Sequence, residues 1–277
     1  MRMNDDRDKS MINVPDASFV ITKEYRRFEE FCNACKKSGY IGLCYGPPGV
    51  GKTESARRYT NSDFRKKYFE FGWHKYYTPP EVREYESIFY TAPVAHTPHS
   101  LKKDIPQLRR NLSFLIIGSY TCDELCEIEL PEDTTKRIIV DECDRLTSQG
   151  IDYFRSIADE DRIAVIFMGM PGLEKRMARY AQLYSRVGFV HEFKPMSTEE
   201  VRFILEHKWA ELGAKFSIRD FTDSEALAAT VRITHGNFRL LQRLLSQVER
   251  VMRINELSIV TKEVIDAARE VLIIGTD

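Results

Sequence analysis

Apolar residues recur along the chain either in short continuous runs or with helical spacing. Four short runs predict strands, at residues 40–45, 87–94, 138–142 and 162–170. Between the last two runs, the sequence SQGIDYFRSIAD predicts a helix. Because strand, helix and strand follow one another at this spacing, we expect a parallel sheet flanked by helices, which is an α/β fold.

The C-terminal part of the chain has helical spacing instead. From Phe238 onward, the apolar positions 240, 241, 244, 245, 248, 251 and 252 lie on one face of a helix. Ser197 and Glu200 have the spacing of a capping box, which predicts a helix start there. We therefore expect three parts: a polar arm at residues 1–24, an α/β domain at 25–195 and a small helical lid at 196–277.

A glycine-rich loop separates the first predicted strand from a stretch free of helix breakers. Its residues are Gly46, Pro47, Pro48, Gly49, Val50, Gly51, Lys52 and Thr53. They fit G-x-x-x-x-G-K-[ST], in which backbone amides cradle a polyphosphate at a helix N-terminus. In that pattern Lys52 reaches the β- and γ-phosphates, and the Thr53 hydroxyl completes the coordination of Mg²⁺. The loop predicts a nucleotide site, with a chance glycine turn as the alternative.

The predicted strand at 138–142 ends in two carboxylates, those of Asp141 and Glu142. We expect Asp141 to hold Mg²⁺ through water and Glu142 to orient and deprotonate the attacking water. Phosphoryl transfer depends on such positioning and charge stabilisation more than on covalent help. An apolar strand that ends in Asp-Glu is common alone, and its combination with the glycine-rich loop is what makes it specific.

Composition places the chain among ordinary globular proteins. It has 277 residues, of which 43% are apolar and 30% charged, enough for one large or two small domains. No run approaches the roughly 18 apolar residues of a membrane span, and the N-terminus MRMNDDRDKS is too polar for a secretory signal. We expect a cytoplasmic protein without a membrane partner.

The six cysteines include a Cys32-x-x-Cys35 pair and a pair formed by Cys122 and Cys126. The two pairs could bind zinc if they met in space. Neither pair has the regular second half of a zinc module, so reduced structural thiols are the preferred interpretation.

The net charge of −1 excludes a uniformly basic coat for nucleic acid, but the charges are unevenly distributed. Residues 101–110 contain Lys102, Lys103, Arg109 and Arg110 against one acid, whereas residues 122–133 carry six acids and no cation. Cations also alternate with aromatic residues at 70–94, where Lys75 and Arg83 lie. These segments are candidate contact surfaces for DNA or protein. The alternatives are a solvated helix face at 101–110, a solvated loop at 122–133 and a hairpin at 70–94 whose aromatic residues complete the core.

Taken together, these motifs resemble the AAA+ ATPases. The resemblance rests on GPPGVGKT, on IIVDE, on the arginine in SRVGF and on GNFR, and it extends from Tyr25 to the C-terminus. It implies a P-loop NTPase fold that binds ATP and Mg²⁺ and hydrolyses ATP to ADP and phosphate. It further implies that Arg186 is the finger that reaches a neighbour's nucleotide and that Arg239 is the second sensor. Arg176 and Arg179 are competitors for the finger.

Within that class, the short chain, the strand into MGMPGLEKRM, the passage YSRVGFVHEFKPMSTEEV and the lid sequence HGNFRLLQRLL resemble the ATPases that regulate DNA transposition, the TnsC, TniB and MuB group. This resemblance implies a homo-oligomeric ring or filament on duplex DNA that selects the target and recruits a transposase, with a target-selection protein as a further partner. It also places the basic run at 101–110 near phosphates. Secretion-associated ATPases of the ExeA kind, which act on protein partners, and a nucleotide-binding switch without turnover are the alternatives.

Two departures from the AAA+ pattern modify this expectation. Met168, Gly169 and Met170 stand where the first sensor usually supplies a polar side chain, which favours slow, switch-like hydrolysis. The separation of the glycine-rich loop from the acidic strand also exceeds the compact pattern, so we expect insertions at 70–94 and around Pro131.

Overall fold

A computed structural model describes residues 19–70, 78–95, 97–121, 124, 133–211 and 221–272. The chain divides into two compact units. The first holds residues 27–45 and 53–192, and the second holds residues 20–26, 46–52 and the chain from Phe193 onward. The domain boundary predicted at 195–196 stays a prediction.

The first unit is built on a five-stranded sheet. Its strands are β1 (Ile41–Tyr45), β2 (Ser87–Thr91), β3 (Arg137–Asp141), β4 (Ala164–Gly169) and β5 (Val187–Glu192). They follow the order β2-β3-β4-β1-β5, and every neighbouring pair is parallel. All strands therefore end at the same edge of the sheet, where ligands of open α/β sheets bind.

Buried strands occupy the middle of this sheet. Every residue of β3 and β4 is buried, which explains their nearly continuous apolar sequences. The four strands predicted from the apolar runs are all present, each starting or ending within a few residues of the predicted limit. The edge strand β5, whose residues are mostly exposed, was not predicted.

Among the described residues up to 192, seven segments are α-helical. They are α1 (Lys23–Ser38), α2 (Lys52–Thr60), α3 (Ser62–Glu70), α4 (Pro98–Ile117), α5 (Ser148–Asp161), α6 (Leu173–Met177) and α7 (Ala181–Tyr184). The start of α4 is fixed by a capping box in which Thr97 and Ser100 each accept a hydrogen bond from the other's backbone amide. The sequence Thr97-Pro98-His99-Ser100 therefore begins a helix.

The described part of the second unit consists largely of the helices α8 (Thr198–Glu211), α9 (Phe221–Thr234), α10 (Phe238–Ile254) and α11 (Lys262–Glu270). The Ser197 and Glu200 capping box is present, because the Glu200 amide donates to Ser197 Oγ at 3.3 Å and the Ser197 amide donates to Glu200 Oε2 at 3.0 Å. The predicted apolar face of α10 packs into a core around Trp209. The α/β sheet with a C-terminal helical part is therefore confirmed.

Four cysteines of the described ranges are buried as free thiols: Cys32, Cys35, Cys44 and Cys143. Burial raises the pKa of Cys35 to about 12, so this thiol stays protonated at neutral pH. Within the same ranges no cluster of three His, Cys, Asp or Glu side chains could hold a metal ion. Cys122 and Cys126 lie outside the described residues.

Much of the two predicted insertions, including Lys75 and Pro131, lies outside the described residues. Arg83, predicted as part of a contact surface, makes a two-pronged ion pair with Glu124 and lies 3.9 Å from the centre of the Tyr120 ring. The Arg83 guanidinium is therefore already bound by a carboxylate and an aromatic ring of the same chain. In the described helices, none is both long and apolar enough to cross a bilayer.

Candidate nucleotide site

The glycine-rich loop, of which residues 46–52 belong to the second unit and Thr53 to the first, owes its shape to backbone conformations that favour glycine. Gly49 and Gly51 have φ values of 81° and 104°, in the left-handed region where a side chain is strained. The loop runs into α2, whose first residues are Lys52 and Thr53. The Lys52 ammonium donates to the carbonyls of Gly46 at 2.5 Å and Pro47 at 2.8 Å. A cation, backbone amides and a helix N-terminus are thus gathered on one loop, as phosphate binding requires.

The end of β3 lies in the first unit and brings Asp141 to Thr53. The Thr53 hydroxyl donates to Asp141 Oδ2 at 2.7 Å, and the Glu142 amide donates to Asp141 Oδ1 at 2.9 Å. Asp141 is only 4% exposed, so its position is well defined. A hydroxyl oxygen beside a carboxylate oxygen is the donor set that fits Mg²⁺, which keeps few protein ligands and fills its octahedron with water and phosphate.

Glu142 has a backbone conformation that is uncommon outside glycine, with φ 53° and ψ 35°. Its carboxylate is half-exposed and lies 3.6 Å from the Arg145 guanidinium, which also donates to the Ala92 carbonyl at 3.0 Å. The Glu142 carboxylate is therefore accessible at the sheet edge, and among the described residues it is held by one ion pair, to Arg145. This geometry suits a group that must accept a proton from water.

Asp144 follows β3 in the chain, and its carboxylate lies at the end of β4, where the first sensor was expected. Its Oδ2 accepts the Met170 amide at 2.8 Å, and a side-chain carbon on Gly169 would come within 2.5 Å of that oxygen. Arg176 stabilises the turn that follows β3, at residues 143–146. It makes an ion pair with Asp144 and donates hydrogen bonds to the carbonyls of Cys143 and Leu146. Arg176 and Asp144 thus stabilise the turn, and Met168 is buried.

The finger candidates differ in how they are held. Arg186, just before β5, donates to Asp159 Oδ1 at 2.5 Å and to the Gln182 carbonyl. The exposed Arg179 guanidinium makes neither a hydrogen bond nor an ion pair within the described part of the chain. Arg186 would have to leave Asp159 to reach a neighbour.

In the second unit, the start of α10 contacts the glycine-rich loop. Asn237 accepts the Leu240 amide at 3.2 Å as the N-cap, and its Nδ2 donates to the Pro48 carbonyl at 2.8 Å. The Arg239 amide donates to the Gly49 carbonyl at 2.9 Å, while its exposed side chain makes no hydrogen bond to any described residue. Sequence reasoning singled out Arg239 and missed Asn237, although Asn before a helical pattern is a recognisable N-cap signal.

The predicted DNA contacts on α4 separate into two sets. Lys102 and Lys103 are exposed in the first turns, and Arg110 is exposed and donates to Gln107 at 2.9 Å. Arg109 is instead bound by Asp133 and Asp161 and is 19% exposed. Two carboxylates already neutralise Arg109, so a phosphate contact through it is not supported. Lys75, also predicted to contact DNA, lies outside the described residues.

Comparison with known proteins agrees with this geometry. A family model described as an AAA domain matches residues 35–177. A "Potential ATP-binding protein" of Staphylococcus aureus is 44% identical over 265 residues, which cover 93% of this chain and 97% of the relative.

Two solved structures are similar in fold. The RuvB Holliday junction branch migration motor of Thermotoga maritima superposes with a TM-score of 0.56 at 15% identity, over 92% of this chain and 71% of RuvB. Aeropyrum pernix ORC1, solved in complex with DNA, gives 0.56 at 18% identity, over 93% of this chain and 67% of ORC1. With its parallel sheet, glycine-rich loop and acidic strand end, and with a family match over half its length, the chain belongs to the AAA domain family.

Proposed function

We propose that this protein binds ATP with Mg²⁺, hydrolyses it, and uses the ATP-bound state to assemble on duplex DNA. The observation that carries the ATPase part is the hydrogen bond between Thr53 and Asp141, beside an accessible Glu142. A hydroxyl and a carboxylate suited to Mg²⁺ stand next to a carboxylate suited to activate water, as phosphoryl transfer requires.

Each residue then has a defined task. Lys52 and the loop amides bind the phosphates, and Thr53 and Asp141 hold Mg²⁺, which neutralises charge on the phosphate oxygens when bound. Glu142 orients the attacking water and accepts its proton. Arg239 faces the nucleotide as the second sensor, and Arg186 is supplied to the neighbouring protomer of a homo-oligomer.

The DNA part is supported by charge and by the proteins of similar fold. Lys102 and Lys103 are exposed at the start of α4, and within the described residues neither ammonium has an ion pair. Phosphate backbones are bound by such unpaired cations. RuvB is described as a Holliday junction motor, and ORC1 was solved in complex with DNA.

The finer function that we propose is regulation of transposition in the cytoplasm. The protein would form a ring or filament on target DNA, recruit a transposase and a target-selection protein, and hydrolyse ATP slowly. This rests on the sequence resemblance to the TnsC, TniB and MuB group. Slow turnover is supported by Asp144, which accepts the Met170 amide at 2.8 Å and so binds the main chain at the first-sensor position.

The test is duplex DNA binding by the full chain with a non-hydrolysable ATP analogue, with ADP and without nucleotide. We expect binding with the analogue only, and no binding by Lys52→Ala, because the ammonium contacts phosphate. Direct titration should show that Lys52→Ala has little nucleotide affinity while its melting temperature without nucleotide stays that of the parent.

The possible outcomes separate the parts of the proposal. Unchanged ATP affinity in Lys52→Ala would overturn the nucleotide site. ATP hydrolysis without DNA binding would leave an ATPase with protein partners, as in the secretion-associated class. Under the finer function, a transposase gene is expected beside the gene for this protein, and strand transfer by that transposase at the same rate without the protein would contradict the proposal.

A further inference from the structure

A cavity of about 670 Å³ lies in the first unit, between α2, α3 and α4 and against β2. Its volume is that of a pocket for a small organic molecule. Neither the glycine-rich loop nor Asp141 and Glu142 line it. The cavity is therefore separate from the candidate nucleotide site.

Two polar atoms of residues that line this cavity are buried without a hydrogen-bond partner among the described residues. They are Arg65 Nε and Ser62 Oγ. Buried polar atoms in folded proteins are nearly always hydrogen-bonded, and two exceptions in one cavity call for a common cause. A ligand that accepts hydrogen bonds from both would be such a cause.

Arg65 is the more unusual of the two. The residue is 7% exposed, and no carboxylate within the described residues forms an ion pair with it. Burial lowers the pKa of Arg65 to about 10, with an opposing effect from Tyr85, so the guanidinium is still charged at neutral pH. A buried cation without a counter-ion is costly, and a bound anion removes that cost.

The other two cations that line the cavity already have carboxylate partners, so Arg65 is the cation that would contact a bound anion. Arg57 and Lys66 also line it, but they pair with Glu54 at 3.3 Å and Glu70 at 3.7 Å. Asp63, Glu70 and Asp104 balance the three cations in number. The cavity is therefore not a general basic patch, and the buried cation in its lining is Arg65.

Tyr90 lies beside Asp104 in the same cavity. Burial, the charge of Asp104 and a hydrogen bond with that carboxylate raise the pKa of Tyr90 to about 12, which keeps its hydroxyl protonated. Phe89 and Leu108 supply apolar surface in the same cavity. The lining thus combines one charged donor and the Ser62 hydroxyl with an apolar wall, as small-molecule sites do.

We propose that this cavity is a second ligand site, which binds a small organic anion with its carboxylate or phosphate on Arg65 and Ser62. The apolar body of the ligand lies against Phe89 and Leu108. The two head groups share one chemistry, acceptor oxygens that carry negative charge.

The test is calorimetric titration of the full chain, saturated with Mg²⁺ and ADP, with benzoate, phenyl phosphate and benzylamine. We expect one saturable site for benzoate or phenyl phosphate and none for benzylamine, and the better of the two anions identifies the head group. Arg65→Met should weaken that binding by about tenfold or more, because it removes a charge-assisted hydrogen bond. Lys67→Met removes a cation from the same helix outside the cavity and should leave the affinity unchanged.

Two further measurements keep the proposal testable if one variant folds poorly. Ser62→Ala should weaken binding by about threefold or more. Without ligand, Arg65→Met should melt no lower than Lys67→Met, since no ion pair is broken. Absence of saturable anion binding, equal affinity in the parent and the cavity variants, or a markedly lower melting temperature of Arg65→Met would overturn the proposal.

Discussion

Glu142 combines backbone strain with an accessible carboxylate. Its left-handed conformation, with φ 53°, costs on the order of 1–3 kcal/mol at a residue with a side chain. The hydrogen bond from its amide to Asp141 Oδ1 at 2.9 Å helps to hold it. This conformation turns the chain directly after β3. As a result, Asp141 is buried beside Thr53, while the next residue, Glu142, is accessible to water.

The first prediction concerns Glu142→Gln. The amide keeps the shape of the side chain but cannot accept a proton, so ATP binding should persist while phosphate release falls by about 100-fold or more. Glu160→Gln, which changes an exposed acid on α5, is the matched control and should hydrolyse ATP like the parent. Unchanged turnover in Glu142→Gln would show that the base lies elsewhere. Asp144 is then a poor substitute, because its carboxylate accepts the Met170 amide.

At the scale of elements, α10 is joined to the glycine-rich loop through its N-cap. Asn237→Ala should reduce the free energy of unfolding by about 1 kcal/mol, as N-cap deletions do, and should also weaken ADP binding by about three- to tenfold, since the Pro48 carbonyl no longer has its donor. Thr261→Ala is the matched control, because Thr261 caps α11 through the Val264 amide. Thermal unfolding and ADP titration of both variants test this. Equal ADP affinity in the two would mean that Asn237 is only a cap.

Elements whose pattern is local were predictable from the sequence. The residues of β3 and β4 are all buried, so their apolar runs are unbroken, and the polar signals at Thr97 and Ser197 mark helix starts without reference to the rest of the chain. Strand β5 was missed because its side chains are mostly exposed and Gly188 interrupts it. This strand forms because it pairs with β1, which is distant in sequence, and its local sequence alone does not predict it.

Long-range partners could not be predicted. Arg109 was grouped with Lys102 and Lys103 because it is close to them in sequence, yet its partners Asp133 and Asp161 are 24 and 52 residues away. The isolation of Arg65 is equally invisible, since a buried charge without a partner is defined by what surrounds it in space. Charge runs in a sequence therefore indicate candidates, and burial decides among them.

At the scale of the whole molecule, Arg186 tests assembly. In the single chain it is held by Asp159 at 2.5 Å, so a role in a neighbour's site requires that this ion pair open. Arg186→Ala alone should hydrolyse little ATP, and mixed with Glu142→Gln it should regain some hydrolysis, because Glu142→Gln still binds ATP and supplies an intact Arg186 to the intact site of its neighbour. The measurement is phosphate release by each mutant and by the mixture.

The competing arginine gives the control for this experiment. If Arg186 is the finger, Arg179→Ala alone should hydrolyse ATP like the parent, since its guanidinium is exposed and unpaired within the described residues. If Arg179→Ala alone is inactive while Arg186→Ala alone is active, Arg179 is the finger and Arg186 is not. Mixed mutants that co-assemble without recovering activity would contradict the finger assignment for Arg186.

The last prediction concerns the path of DNA across the assembled protein. Lys102 and Lys103 lie exposed at the start of α4, and α4 also carries Arg110 on its surface. Phosphate contacts carry no base information, so binding through this surface should be weakly selective for sequence. If both lysines bind phosphates, the double change to alanine should lower the log-log salt slope of DNA affinity by about 1 for each phosphate that a protomer no longer neutralises.

The measurement is DNA affinity across a salt series, with the non-hydrolysable ATP analogue held constant. Lys37→Ala with Lys67→Ala removes the same charge from exposed positions on α1 and α3, and so separates contact from net charge. We expect the parent and this control to give parallel lines, and the Lys102 and Lys103 double mutant to give a shallower one while ATP affinity stays constant. Three parallel lines would mean that these lysines form only a solvated face, and the DNA path would then have to follow another surface.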